Sequence, residues 1–162
     1  MKRRHHSRIV HLACKVRFFE FILLYLSEGI LRYKEKKSWE NLPVEGVHDL
    51  TRYLDPELLH IKGEFTIEDA SDFGFIINGF EIKYDAMNER LNGVHLRNSN
   101  NHFDIEILVD RTSVEIFANS GRVYLPKDHL SPDHPPAFKI FSRHGSITVN
   151  SLEVWKLKSI WE

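Results

Sequence analysis

The chain has 162 residues, 42% of them hydrophobic and 28% charged, enough for one domain with a packed core and too few for two large ones. Formal net charge is −1, yet six basic residues (Lys2, Arg3, Arg4, Arg8, Lys15 and Arg17) precede the first acid, Glu20, leaving 16 basic against 23 acidic side chains beyond it. That acidic body argues against nucleic acid as a partner of the folded part, and the lone cysteine, Cys14, excludes an internal disulfide.

Residues 1–17 are basic and histidine-rich and are expected to be mobile, because a run of like charges with little apolar content cannot offset its ordering entropy. Phe18 to Leu26 (FFEFILLYL) is apolar except for Glu20. It is too short for a membrane span, which needs about 18 or more apolar residues. No small-x-small cleavage site follows it, so it also makes a poor secretory signal. A short amphipathic helix, or a stretch not native to the module, is expected instead. Arg32 to Lys37 (RYKEKK) reads as a charged linker, so residues 1–38 form a basic and apolar extension, and 39–162 form the module proper.

From Trp39 onward the sequence reads as β. Asn41-Leu42-Pro43 breaks any helix, and Val47 to Leu54 fits a first strand or a short helix. Leu59 to Ile67 alternates around Gly63. Asp72 to Asn78 and Phe80 to Tyr84 are strands joined at Asn78-Gly79, a strong hairpin dipeptide. Leu91 to Leu96 is a short strand, and Arg97 to His102 is an exposed loop. After a proline-rich stretch, Pro126 to Pro136, come two last strands, Phe138 to Phe141 and Ile147 to Leu157, separated by Arg143-His144-Gly145.

The most informative stretch is Phe103 to Leu125, FDIEILVDRTSVEIFANSGRVYL. Phe103, Ile105, Ile107 and Val109 recur at the period of two that marks a half-buried strand. Asp110 to Ser113 turns the chain into Val114 to Phe117. Ala118 to Gly121 turns it again, into Arg122 to Leu125. Short strands at regular spacing with turn chemistry between them predict an all-β fold, a two-sheet antiparallel β-sandwich of jelly-roll-like form. Phe117 shares the outward face of its strand with Glu115, and Trp155 shares one with Glu153. A sandwich strand should be wet outside, so something is expected to cover these faces.

Candidate chemistry is sparse. Asp104 and Glu106 lie two residues, or about 6.6 Å, apart on one strand face, a spacing that brings glycoside hydrolysis to mind. Carboxylates on the solvated face of a strand are the simpler account. Ten histidines are present, including His5, His6, His129 and His134, but without C-x-x-C or H-E-x-x-H spacing no metal site is expected. No glycine-rich turn opens a helix, so nothing points to a phosphate-bearing cofactor.

The stretch LVDRTSVEIFANSG resembles the V-D-R-S-S-V-E-V-F-A-N-x-G signature of the C-terminal β-sandwich of glycoside hydrolase family 32, the invertases, levanases and inulinases. It matches at Asp110, Arg111, Ser113, Glu115, Phe117, Asn119 and Gly121. The likeness continues through residues 73–91 and 151–161. In that family the catalytic acids lie in a separate propeller, in W-x-N-D-P-N, R-D-P and E-C motifs. None occurs in these 162 residues: Asp55-Pro56 follows Leu54, and Cys14 follows Ala13. No catalytic residue carries over.

The resemblance implies a non-catalytic module that stabilises or docks on a catalytic propeller, in trans or lost, with self-association as another outlet for the same surface. Its alternative is a free-standing module that binds fructan or sucrose-type sugars. In either case the candidate contact residues are Phe117, Tyr124, Trp155 and Trp161, since aromatic planes pack on sugar rings and are enriched at interfaces.

Overall fold

The computed structural model describes residues 33–158 apart from 55, 99 and 129–133. The expectations for residues 1–32, and the candidate Trp161, lie outside these described residues. Ten strands follow in order: β1 (Tyr33–Asp49), β2 (Leu59–Ile67), β3 (Asp72–Ile77), β4 (Phe80–Asp85), β5 (Arg90–Leu91), β6 (Val94–His95), β7 (His102–Val109), β8 (Ser113–Ala118), β9 (Val123–Asp128) and β10 (Phe138–Leu157). One turn of 3-10 helix, Thr51–Tyr53, follows β1.

All pairings are antiparallel, in the order β6-β5-β4-β3-β10-β2-β7-β8-β9, with β1 also on β10. The two layers are halves of one hydrogen-bonded sheet. Residues 138–143 of β10 pair with β3, whereas 147–156 pair with β2. Between them His144 and Gly145 take φ of 51° and 136°, and the Ser142 hydroxyl donates to the Gly145 carbonyl at 2.7 Å. Arg143-His144-Gly145 was expected to end one strand and start another. It bends one strand instead, because β1 runs alongside both halves, its register stepping from Glu45↔Ser146 to Gly46↔Ser142. Such a corner is how one strand serves two packed sheets.

The first layer (β6, β5, β4, β3 and the start of β10) faces the second (the end of β10, β2, β7, β8 and β9) across aromatic rings. Phe73 meets Phe103 edge-on at 5.3 Å, Tyr84 lies 4.6 Å from Phe103, and Phe65 meets Phe75 at 5.8 Å. Ile105, Ile107, Val114 and Ile116 all point into this core, as alternation predicts. Tyr84 keeps its hydroxyl satisfied by donating to the Leu96 carbonyl at 3.0 Å, and burial pushes its phenol up to about 12. Gly74 admits no side chain, since a Cβ there would stand 1.9 Å from the Ile82 carbonyl oxygen.

Two further details depart from the expectations. The charged segment read as a linker is strand from Tyr33, with Glu35 to Lys37 opposite Lys156 to Val154. Charge suits it there, because lysines and prolines discourage further pairing at a sheet edge, and Pro43 lies on the same edge strand. Within β10, burial shifts from Ile147 and Val149 to Leu152 and Val154. The shift is a bulge at Asn150, with Val149 opposite Phe65 but Ser151 opposite Glu64.

Candidate functional site

The β7–β8–β9 meander holds every residue of the signature. The Asp110 amide donates to the Ser113 carbonyl at 2.9 Å, and the Asp110 carboxylate accepts from the Arg111 amide at 2.7 Å, closing the first turn. Arg111 Nε donates to Glu57 Oε1 at 2.6 Å, tying that turn to the segment before β2. In the second turn Asn119, Ser120 and Gly121 take φ of 46°, 57° and 78°, and glycine serves where that run is least tolerant of a side chain. Asn119 donates its backbone N–H to the Asp104 carbonyl at 2.9 Å and its side-chain amide to the Arg97 carbonyl at 3.3 Å. These residues build the meander.

Its alternation then aims side chains outward. Val114, Ile116 and Ala118 are buried, while Ser113, Glu115 and Phe117 are half-buried on the opposite face. Phe117 stands opposite Tyr124, and their rings stack at 4.9 Å and 29°. Tyr124 Oη donates to Glu115 Oε2 at 3.0 Å. Further along the same face Trp155 stands opposite His60, with rings stacked at 5.1 Å. His60 Nε2 lies 2.6 Å from Glu106 Oε1, and Lys62 Nζ lies 3.5 Å from the same oxygen.

Register turns these pairs into two rows across five strands. One reads Trp155, His60, Leu108, Glu115 and Pro126; the other reads Glu153, Lys62, Glu106, Phe117 and Tyr124. Four interstrand spacings make each row about 19 Å long. The structure thus brings Phe117, Tyr124 and Trp155 onto one face. All three are half-buried there. Phe117 packs on Tyr124, and Trp155 packs on His60.

Two carboxylates on this face behave oppositely. Hydrogen bonding to His60, with Lys62 nearby, holds the Glu106 carboxyl below its usual range. Burial pushes the Glu115 carboxyl above its usual range, only partly offset by the Tyr124 hydroxyl. The other acid weighed for chemistry, Asp104, accepts from the Ser120 amide at 2.8 Å. Asp104 and Glu106 are therefore both occupied by contacts that hold the sheet. Among the described residues no group of three or more His, Cys, Asp or Glu side chains is arranged to hold a metal, and no helix is long and apolar enough to cross a membrane.

His60 and Leu108 were not legible as members of this face. Alternation places both outward, but only the pairing of β2 with β10 and β7 makes them neighbours of Trp155 and Glu115.

Comparison with known proteins agrees with this architecture. The model of the glycosyl hydrolases family 32 C-terminal domain matches residues 29–156. A levanase of Bacillus subtilis (strain 168) is 25% identical over 154 residues, covering 77% of this chain and 23% of the levanase. A levanase of Bacillus sp. (strain L7) is 41% identical over 69 residues, 41% of this chain and 7% of that protein. The chain thus spans less than a quarter of the length of the relatives it matches. Among solved structures, the fructofuranosidase of Schwanniomyces occidentalis complexed with fructose superposes with a TM-score of 0.64 at 12% identity, over 80% of this chain and 34% of that one. The exo-inulinase of Aspergillus awamori gives 0.62 at 19% identity, over 80% and 30%. The chain belongs to the C-terminal domains of glycosyl hydrolases family 32.

Proposed function

We propose that this chain is the non-catalytic C-terminal β-sandwich module of a β-fructosidase-like hydrolase, which docks on and stabilises a catalytic propeller lying outside these 162 residues. The observation that carries the reading is the outward face of the second layer, where three aromatic side chains and a desolvated carboxylate share one surface. Aromatic residues ringed by polar groups are the composition of an interface core. The signature supports the same reading, since its residues build the turns and strands of that surface.

Two assays test it. The purified chain should release no sugar from sucrose, inulin or levan, and turnover that survives further purification would overturn the reading. Mixed with the catalytic domain of the Bacillus subtilis levanase, produced without its matching segment and checked for native circular dichroism, the chain should raise that domain's thermal midpoint. An unchanged midpoint would count against docking.

A second reading, a fructan-binding module, has one specific support: Phe117, Tyr124 and Trp155 share their face with Glu106 and Glu115, and aromatic planes beside carboxylates suit sugar rings and hydroxyls. Calorimetry with fructo-oligosaccharides separates the two. Saturable binding lost in Phe117→Ser would favour the sugar.

A further inference from the structure

Four glutamates occupy half-buried strand positions: Glu81, Glu106, Glu115 and Glu153. Three of them meet a cation, Glu81 through Arg143, Glu106 through Lys62 and Glu153 through Lys36. Glu115 meets none among the described residues. Among the described residues it accepts a hydrogen bond from Tyr124 Oη at 3.0 Å. Its cross-strand neighbours are Leu108 and Pro126, and Phe117 follows it on the same face. A carboxylate held among apolar groups without a cation costs stability. Burial is accordingly the largest influence on its proton affinity, and Asp128 adds repulsion.

We propose that Glu115, framed by Leu108, Phe117, Tyr124 and Pro126, is the anchor at which the catalytic propeller docks, and that the propeller supplies an arginine or lysine to it. This rests on the docking reading above and adds the chemistry of the contact. Charge complementarity selects the occupant: Glu115 meets no cation among the described residues, and the stacked rings beside it would exclude water from an ion pair once covered. A pair so desolvated is costly to break from one side. Guanidinium suits the position better than ammonium, because it can meet the carboxylate with two bonds while lying flat against Phe117 or Tyr124.

Glu115→Gln tests the proposal because its two effects have opposite signs. Glutamine keeps an oxygen for Tyr124 and removes the charge, so the thermal midpoint of the 162-residue chain at neutral pH should rise. Affinity for the catalytic domain of the Bacillus subtilis levanase, the probe for the propeller, should fall at least about tenfold. A lower midpoint would make Glu115 a structural residue and overturn the proposal. A higher midpoint with unchanged affinity would place the propeller elsewhere and overturn it while leaving docking intact. If the wild-type chain does not bind the probe at all, docking and anchor are both withdrawn. Concentration-dependent sedimentation of the chain alone, abolished by Glu115→Gln, would assign the face to a second copy instead.

Discussion

The outward faces of the two layers differ in how their charges are matched. On the first layer Arg143 donates to Glu81 through two bonds, at 3.2 and 2.7 Å, and to Asp72 at 3.3 Å. Its guanidinium lies 4.2 Å over the Phe141 ring, and Lys139 sits 3.6 Å from Asp49. On the second layer aromatic pairs cover the strands and Glu115 is left without a cation among the described residues. Both faces come from the same alternation, and both cover one core. A face is made for water or for a partner by the matching of its charges, and strand period alone does not decide it.

The shared core is the first place to press this comparison, and the largest effects belong there. Ile107 is fully buried beneath the second face, and Ile107→Ala should cost about 2–5 kcal/mol in chemical denaturation. Gly74→Ala, beneath the first, forces a methyl onto the Ile82 carbonyl and should cost about 3 kcal/mol. A negligible loss at either position would mean that the two faces do not rest on one tightly packed interior.

Replacing Arg143 by Met should cost less, about 1 kcal/mol, because its pairs with Asp72 and Glu81 are partly open to solvent. No single substitution on the second face should mimic it, since among the described residues no side chain there holds two carboxylates at once.

Smaller still, and more telling, are two opposite pH dependences. Arg143 holds the Glu81 carboxyl low. The stability this contributes is present above the unfolded carboxylate range and is lost as pH falls through the lowered folded value. Burial holds Glu115 high. Its contribution favours the fold below the unfolded range and is lost as pH rises through the raised folded value. Measured against wild type, Glu81→Gln should therefore lower stability at neutral pH and Glu115→Gln should raise it. Both differences should shrink as pH falls and the carboxylates protonate, that at Glu115 before that at Glu81. Two curves of the same sign would end the distinction between the faces.

Much of this was legible in the sequence, for local reasons. The meander from Phe103 to Leu125 announced itself because alternation and turn residues act over a few positions. The hairpin at Asn78-Gly79 was equally plain, with φ of 48° and 81° at its two residues. What stayed hidden depends on partners far along the chain. Arg143-His144-Gly145 looks like a loop until β1 is seen bridging both halves of β10. Tyr33 to Lys37 looks like a linker until it is seen as the edge of a sheet. The candidate face was half visible: Phe117 and Tyr124 belong to one hairpin, but Trp155 joins them only through β2 and β7, with His60 between.

The central claim is that the second layer's outward face is the docking surface. Hydrogen exchange of the 162-residue chain, with and without the levanase catalytic domain, tests it most directly, because β9 is an edge strand whose amides report on whatever covers it. The account predicts slowed exchange across 113–128 on complex formation and no change across 72–85. Slowing confined to 72–85, or a complex that leaves 113–128 untouched, would contradict it.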